Sequence, residues 1–447
     1  MRPPRRFLSL LLTIIIALTL SGCEPKNKIL TLKDTDNNEK ITLRFSSSWA
    51  GTDVKVNTLK QVLASFMNEN SDIDIINESL SGGDYLFKLK TDFVSGNEPD
   101  IFAIRPGKNI SVFIESNKIA DLTSILEENP DWANTFDKSV WDYVTYNNKI
   151  YGIPFEIVYQ CMYVNTDLFR KYNVKIPKTF AELKTAVEIF NQNGVIPIAY
   201  GARSESNLIF QNIIASLGGK SEVELPHKND EINNCYVNAL DYYKELYDLG
   251  AFPENIFNLD QRGANKLFLD KNAAMIIGKS DFIGEINNRI TEMIQNDGYI
   301  SDDFEKNIEL VTFPAIEGGK GDPTSIIYGL GAGTFYVSSN ALENPKKKEA
   351  LLKLLKFLTS EKTANTFIDQ TRMRCSIKLF NNNNYYSGLM RRGWNLIDST
   401  KELILPPESF FDKLIWEEMI VARLPYVLEE NLTSEAFWHD IKNSISP

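Results

Sequence analysis

Short strands that alternate with amphipathic helices constrain this chain more than any other feature of its sequence. Residues 41–45 alternate with a period of two, residues 54–68 carry one apolar stripe at helical spacing, and residues 73–76 have a second strand pattern. A second helix pattern over residues 85–93 and a third strand pattern near residues 101–104 continue the alternation. Because strand–helix–strand units form parallel crossovers, this order predicts an α/β fold.

The same alternation returns further along the chain. Strand patterns lie at residues 195–201, 273–278 and 310–314. Thr179, with Glu182 three residues later, has the spacing of a capping box at a helix start. The chain has 447 residues, whereas single hydrophobic cores stop growing at about 250–300 residues. We therefore expect two or more lobes.

Charge and histidine content exclude several classes of function. The formal net charge is −11, which argues against a nucleic-acid partner because phosphate binding needs clustered positive charge. The chain has two histidines, His227 and His439, which are far apart in the sequence, and it has no C-x-x-C pair. We therefore expect neither a metal site nor a cofactor.

The N-terminus has the pattern of an export signal. Three arginines precede an apolar run at residues 7–20, which is shorter than the ~20 residues of a membrane-spanning helix. The run ends in LSGC at residues 20–23, which resembles the lipobox of bacterial lipoproteins. Such proteins are cut before the cysteine, which is then diacylated. We therefore expect residues 1–22 to be a signal peptide and Cys23 to carry the lipid.

The residues after the lipobox predict a tethered acidic body. Residues 23–40 are mostly polar and are expected to act as a tether. Removing residues 1–22 removes three arginines and changes the formal net charge to −14. No later stretch is long and apolar enough to cross a membrane. A lipid on Cys23 would hold this body at the outer face of the bacterial cytoplasmic membrane.

Three further cysteines remain in the body. Cys161 lies in an apolar alternating segment and is expected to be a buried small hydrophobic residue. A disulfide between Cys235 and Cys375 stays open, because spacing alone does not determine pairing.

A series of short segments in a fixed order resembles the extracellular solute-binding proteins of ABC importers, in particular their large sugar-binding group. The matching segments span most of the chain and are SWAG at 48–51, GDY at 83–85, PDIF at 99–102, ADLT at 120–123, YGIP at 151–154, YVNTDLF at 163–169, PKTF at 177–180, FLDKNAAM at 268–275 and FPA at 313–315. This chain departs from the family at Ser280, where the family often has Trp, and Asp281 follows it. That departure leaves the class of ligand open.

The resemblance implies a two-lobe α/β fold, with a hinge between the lobes and a ligand cleft. It assigns residues 41–155 and 310–372 to lobe 1, and residues 156–309 and 373–447 to lobe 2. It implies capture of a carbohydrate, in particular an oligosaccharide, and delivery to the membrane permease subunits of an ABC importer without covalent chemistry. We expect the protein to act as a monomer.

Candidate ligand contacts follow from the loops that come directly after strands, because such loops face the crevice of α/β sheets. Aromatic side chains cover the faces of a sugar ring, and carboxylates, amides and Arg bind its hydroxyl groups. The predicted ligand contacts are Trp49, Asp84, Tyr85, Arg105, Glu156, Tyr159, Arg203, Ser280, Asp281 and Trp394. Structural alternatives are core packing for Trp49, Tyr159 and Trp394, and helix capping for Asp84.

The sequence leaves other functions open. The first alternative is another class of ligand in the same scaffold, such as a peptide, a polyamine or a phosphorylated compound. A surface lipoprotein glycosidase is a second alternative, because paired carboxylates also serve in glycoside hydrolysis. A sensor or adhesion lipoprotein is a third.

Overall fold

A computed structural model of the protein describes residues 40–203, 207–228, 231–297, 302–378, 388–429 and 432–445. The predicted signal peptide, the tether up to residue 39 and Cys23 lie outside the described residues, as does the asparagine-rich segment at 381–384. In the described part, no helix is long and apolar enough to cross a membrane.

The strands and helices follow each other closely along the chain. The strands are β1 (Ile41–Ser47), β2 (Ile73–Asn77), β3 (Ile101–Ala103), β4 (Thr145–Tyr146), β5 (Lys149–Ile150), β6 (Gly152–Pro154), β7 (Glu156–Asn165), β8 (Ile196–Ala199), β9 (His227–Lys228), β10 (Glu231–Ile232), β11 (Ala273–Lys279), β12 (Ile308–Val311), β13 (Ile326–Leu330), β14 (Thr334–Val337), β15 (Arg374–Cys375) and β16 (Leu403–Ile404).

The helices connect and flank these strands. They are α1 (Val56–Glu69), α2 (Gly82–Ser95), α3 (Lys108–Glu115), α4 (Thr123–Glu128), α5 (Pro130–Ala133), α6 (Thr166–Lys171), α7 (Phe180–Gln192), α8 (Leu208–Val223), α9 (Asn234–Asp248), α10 (Gln261–Leu269), α11 (Phe282–Asp297), α12 (Asp302–Lys306), α13 (Ser339–Glu343), α14 (Pro345–Leu358), α15 (Glu361–Thr371), α16 (Gly388–Asp398), α17 (Leu424–Glu429) and α18 (Ser434–Ile445). Short helical turns lie at Lys138–Val144, Ile256–Asn258, Pro407–Phe410, Ile415–Ile420 and Val421–Arg423.

The first sheet has the strand order β2-β1-β3-β14-β6. Strand β1 pairs in parallel with β2 and β3, and helices α1 and α2 make the two crossovers. Strands β14 and β6 complete the sheet in antiparallel pairing. The predicted parallel crossovers at the start of the chain are therefore present.

The second sheet is built around β7, which has ten residues and is long enough to pair with several strands. The main path is β16-β13-β7-β11-β8, and β12 and β15 also pair with β7. Strands β11 and β8 are parallel, whereas both β11 and β13 run antiparallel to β7. We call the residues packed around the first sheet the first lobe, and those around the second sheet the second lobe.

The core follows the period of two along β7. Tyr159, Cys161 and Tyr163 pack into a cluster that continues into the first lobe, whereas Met162 and Val164 pack into the cluster on the opposite face of the second sheet. This alternation is the pleat of a strand that is covered on both faces. The apolar core thus runs without interruption from one lobe into the other.

Three stretches of chain cross between the lobes. Phe155 joins β6 to β7, residues 331–333 join β13 to β14, and residues 372–373 lead from α15 to β15. Strands β12 and β13 belong to the second sheet, so sheet membership puts the return to the first lobe at residues 331–333. The lobe boundaries given above stay a prediction.

Local signals in the sequence have mixed outcomes. The capping box of Thr179 and Glu182 is confirmed at the start of α7. The N-cap prediction for Asp84 is wrong, because α2 begins earlier, after Ser81, and Asp84 lies in its first turn. Cys161 is buried as expected.

The cysteines settle the question of pairing. Cys235 and Cys375 are both free and buried. They lie in different clusters of the core, Cys235 in the second lobe and Cys375 in the cluster that joins the lobes. The disulfide that the sequence left open is absent.

Candidate functional site

A groove of about 850 Å³ lies where the two lobes meet. Its first-lobe wall consists of residues that follow β3 and of the aromatic-rich segment that ends at Tyr146. Its second-lobe wall consists of the carboxyl end of α8, the end of β13 and residues 400–410. The site is therefore shared between the lobes.

Tyr143 contributes an aromatic ring to the groove, which two acidic side chains also line. Its ring centroid lies 6.2 Å from that of Tyr328, which is buried beneath it. Burial raises the pKa of Tyr143, and the negative charges of Glu224 and Asp142 raise it further. Both carboxylates also line the groove. An aromatic ring with flanking acceptors suits a ligand with an apolar face and a rim of hydroxyl groups.

Glu224 stands at a place that is unfavourable for a negative charge. It is the C-terminal cap residue of α8, where free carbonyl groups already create a negative potential. Burial is the main cause that raises the pKa of Glu224; the charge of Lys220 opposes this and that of Glu402 reinforces it.

An ion pair joins one lobe to the other at the groove residue Arg105. Arg105, directly beyond β3, donates from Nη1 to Oε1 of Glu408 on the second lobe. Behind it, Gln211 Nε2 donates to Glu408 Oε2 over 3.3 Å. A β-carbon at Gly107 would lie 3.0 Å from the Ser409 carbonyl oxygen, so the two backbones are also close here. The two lobes are therefore in direct contact here.

Buried amides support this ion pair from within the second lobe. Gln160 Nε2 donates to Gln211 Oε1 over 3.3 Å, and Asn212 Nδ2 donates to Gln160 Oε1 over 2.8 Å. Together with the bond from Gln211, they form a chain of side-chain hydrogen bonds that leads to Glu408. Because its members are buried and satisfy each other, the chain fixes the position of the Glu408 carboxylate.

Lys279 links the ion pair to the end of β11. Burial is the main cause that lowers its pKa, and the positive charge of Arg105 adds to the effect. The charges of Glu408, Asp281 and Glu156 act in the opposite direction. These charged groups therefore act on one another at the junction of the lobes.

A buried ion pair lies beside the crossing stretches. Lys55 Nζ is 3.1 Å from Glu156 Oε1, and the two residues are 5% and 2% exposed. Glu156 Oε2 accepts a hydrogen bond from the backbone N–H of Gly333, which lies in another crossing stretch. The Lys55 ammonium also lies 5.6 Å from the centroid of the Trp49 ring.

Five predicted ligand contacts are buried, with structural partners. Trp49 packs against Phe335 and Phe367 in the core, and its Nε1 has no hydrogen-bond partner among the described residues. The Tyr85 hydroxyl donates to the Ala103 carbonyl oxygen over 2.8 Å. Trp49 therefore belongs to the core and not to the groove, since rings distant in sequence enclose it.

The other three buried candidates have similar surroundings. Glu156 is held by Lys55, as described above. Tyr159 fits against Gly393, where a β-carbon would be only 1.9 Å from the tyrosine hydroxyl oxygen. The backbone N–H of Ser280 donates to the Tyr159 carbonyl oxygen over 2.9 Å.

The remaining candidates are more accessible but are not all in one place. Arg105 lines the groove. Asp281 is half-buried near Lys55, Asp84 is exposed on α2, and Arg203 is exposed beyond β8. The Trp394 ring lies 4.5 Å from the Arg374 guanidinium carbon in a cation–π contact. Arg105 is thus the candidate that the structure brings into the groove, and ligand contact by the whole set stays a prediction.

Sequence reasoning missed Tyr143, Glu224 and Phe410, which line the groove. None of them directly follows a strand. The available signal was the density of aromatic residues in WDYVTY at 141–146, with an adjoining Asp. Among the described residues, no cluster of three or more His, Cys, Asp or Glu has a geometry that could hold a metal.

Comparison with known proteins connects this geometry to a family. Residues 51–365 match the family described as bacterial extracellular solute-binding protein. The chain is 26% identical over 188 residues to the multiple sugar-binding protein of Streptococcus mutans, an alignment that covers 41% of each protein. The match thus spans about two fifths of that relative's length.

Solved structures resemble the whole described fold. One, from work on xylan utilization by the thermophilic bacterium Caldanaerobius polysaccharolyticus, has a TM-score of 0.77 and 26% identity, and the match covers 91% of this chain and 100% of that one. The maltose-bound MalE3 of T. maritima has a TM-score of 0.70 and 18% identity, with 90% and 98% covered. These likenesses confirm the predicted two-lobe α/β fold class.

Proposed function

We propose that this chain, which belongs to the bacterial extracellular solute-binding proteins, captures a carbohydrate in the groove between its lobes and delivers it unaltered to the permease of an ABC importer. The observation that carries the proposal is the groove itself, whose walls come from both lobes. A ligand that touches both walls favours the closed arrangement, and the permease can then distinguish loaded from empty protein.

The chemistry of the groove supports a carbohydrate as the ligand. Tyr143, Tyr146 and Phe410 provide aromatic surface, and Asp142 and Glu224 provide carboxylate acceptors for hydroxyl groups. The relatives support the same class, since the names of two of them refer to multiple sugars and to bound maltose. Peptides and polyamines would use the same carboxylates but have less need of several aromatic faces.

The size of the groove supports an oligosaccharide. Its volume of about 850 Å³ lies in the upper part of the ~300–1,000 Å³ that small-molecule sites usually occupy. A single sugar unit would leave much of this space to water. Several linked units would contact both walls at once.

The proposed role involves binding without hydrolysis. Relatives of the chain are binding proteins. Glu408 accepts hydrogen bonds from both Arg105 and Gln211, so its carboxylate already has structural partners. A carboxylate whose oxygens are occupied by such donors is poorly placed to transfer a proton to or from a sugar.

A thermal-shift screen tests the function. The folded protein is heated with xylotetraose, maltotetraose, chitotetraose, raffinose, tetragalacturonate, spermidine and a tetrapeptide, and each mixture is then analysed by mass spectrometry. We expect an oligosaccharide to raise the melting temperature, because a ligand that binds only the folded state stabilises it, and we expect it to be recovered intact. A shift with the peptide or spermidine alone, or a cleaved sugar, would contradict the proposal.

The proposal includes a lipid anchor on Cys23 at the outer face of the bacterial cytoplasmic membrane. Stable anchoring needs two acyl chains, which a diacylated cysteine supplies. In a bacterial host, the wild type should incorporate labelled palmitate and sediment with membranes. Cys23→Ala should do neither, and a membrane-bound, unlabelled variant would contradict the anchor.

A further inference from the structure

We propose that the groove selects sugar units without an acidic group, and that Glu224 and Asp142, which line it together with Tyr143, make this selection. The inference rests on the proposed function, because it specifies the class of carbohydrate that the same groove takes. It assigns a binding role to two carboxylates that the sequence did not single out.

The position of the two carboxylates carries the first step. Both line the same groove as Tyr143, and Asp142 is its neighbour in the sequence. Tyr143 is held from behind by the buried Tyr328 ring. A sugar unit that stacks on Tyr143 therefore has a carboxylate near its edge, where its hydroxyl groups project.

The unmet bonding capacity of these carboxylates carries the second step. Among the described residues, no side chain or backbone group donates a hydrogen bond or forms an ion pair with the carboxylate of Glu224 or Asp142. Glu224 is half-buried at the carboxyl end of α8, where the helix itself disfavours a negative charge. Hydrogen-bond donors on a ligand would stabilise the negative charge of Glu224, whereas a carboxylate on the ligand would repel it.

A neighbouring carboxylate shows the contrast. Glu402 also lines the groove, but its oxygens accept hydrogen bonds from the backbone N–H groups of Lys220, over 3.2 Å, and Asp322, over 3.4 Å. Its bonding capacity is used inside the protein. Its charge nevertheless adds to the field at Glu224 and reinforces the exclusion of anions.

The groove also contains cations, which would attract an acidic sugar and so oppose this selection. Lys108, Lys220 and Lys401 line the groove with exposed side chains, and Arg105 is engaged by Glu408. Exposed ammonium groups on flexible stems are hydrated and screened by salt. Glu224 is half-buried beside the aromatic ring, so its charge is screened less and decides which unit fits there.

The test compares neutral and acidic probes on one set of variants. Isothermal titration is carried out at physiological salt with tetragalacturonate and with the neutral tetrasaccharide of the thermal screen that binds most tightly. For the wild type, we expect the neutral probe to bind and tetragalacturonate to bind at least tenfold more weakly. Glu224→Gln should weaken the neutral probe by about ten- to a hundredfold, because hydrogen bonds to a charged acceptor are lost.

Two further variants separate a binding role from a structural one. Glu188→Gln, on the exposed face of α7, removes one negative charge outside the groove and should leave both affinities unchanged. Asp142→Asn removes an exposed carboxylate of the groove and should lower the neutral affinity without changing the melting temperature. This variant keeps the inference testable if Glu224→Gln folds poorly.

Each outcome bears on one claim. If tetragalacturonate binds the wild type more tightly than the neutral probe, or if Glu224→Gln and Asp142→Asn both bind the neutral probe as the wild type does, the selection is refuted while carbohydrate capture stands. If no carbohydrate binds the wild type, the proposed function itself fails. In Glu224→Gln, the ratio of acidic to neutral affinity should rise.

Discussion

At the scale of residues, the ion pairs of two lysines of the first lobe differ in burial. Lys55 pairs with Glu156 over 3.1 Å, and both side chains are almost fully buried. Lys40 pairs with Asp74 over 3.2 Å, and about half of each side chain is exposed. The near-equal distances give no indication of the energetic difference. Burial determines it, because a charge left alone in the interior cannot be solvated.

We expect Lys55→Met to lower the free energy of unfolding by about 3–5 kcal/mol, because it leaves the Glu156 carboxylate buried without its cation. Lys40→Met should change it by less than about 1 kcal/mol, since the exposed partner remains in water. Urea unfolding followed by circular dichroism measures both. Equal effects of the two substitutions would mean that Glu156 gains another partner or a proton.

At the scale of elements, one side chain joins β1 to its surroundings. Arg44 donates from Nε and Nη2 to the two oxygens of Glu78, over 2.7 and 2.9 Å, and from Nη1 to the Asn97 carbonyl oxygen over 3.0 Å. The hydrogen bonds from Arg44 are the main cause that lowers the pKa of Glu78, against an opposing effect of burial. The arginine thereby fixes the end of β2 and the loop before β3 on the same strand.

This pair predicts a dependence of stability on pH. Because the pKa of Glu78 is lowered in the folded state, its contribution is fully present above the ordinary value of 4.5 and is lost as the pH falls through the lowered folded value. Glu78→Gln should lower the melting temperature at pH 7 and make it fall less steeply below pH 4.5. Melting curves of both proteins at a series of pH values measure this, and parallel profiles would contradict it.

Gly333, in the crossing stretch before β14, packs closely against neighbouring side chains. A β-carbon at Gly333 would lie 2.5 Å from Cζ2 of Trp49 and 2.9 Å from Cβ of Glu156, and both neighbours are buried. Gly83, in the first turn of α2, has as its nearest such neighbour the flexible ammonium of Lys413, 3.6 Å away.

We expect Gly333→Ala to destabilise the protein by about 1–3 kcal/mol or more, because overpacking in a core forces side chains and backbone to shift. Gly83→Ala should be neutral or slightly stabilising, since alanine favours a helix. Both are compared in urea unfolding. If Gly333→Ala is as stable as the wild type, the backbone and side chains around residue 333 shift at little cost, which would contradict the prediction.

At the scale of the whole molecule, the lobes meet through several polar contacts. In addition to Arg105 and Glu408, Arg262 Nη2 donates to Thr52 Oγ1 over 2.9 Å, and Lys90 Nζ lies 3.5 Å from Asp412 Oδ2. Each pair joins a first-lobe residue to a second-lobe residue. In the described arrangement, the crossing stretches and these polar contacts join the two lobes.

The sequence predicts the features that depend on neighbouring residues better than those that depend on tertiary packing. Strand β11 and helix α7 were predicted because their apolar period and capping box are local. The groove was not, because Tyr143 lies in a helical turn and Glu224 at a helix end, and only tertiary packing brings them together. For Trp49, the sequence did not decide between core packing and ligand contact, because the rings that enclose it lie almost three hundred residues or more further along the chain.

The most direct measurement is a calorimetric titration of the wild type and of Tyr143→Leu with the oligosaccharide that gives the largest thermal shift. Leucine keeps the apolar contact with Tyr328 but removes the aromatic face. We expect one molecule to bind per wild-type chain, and the variant to bind about tenfold more weakly, or by about 1.4 kcal/mol, with an unchanged melting temperature. Equal affinity of the two proteins would mean that the sugar binds outside the groove.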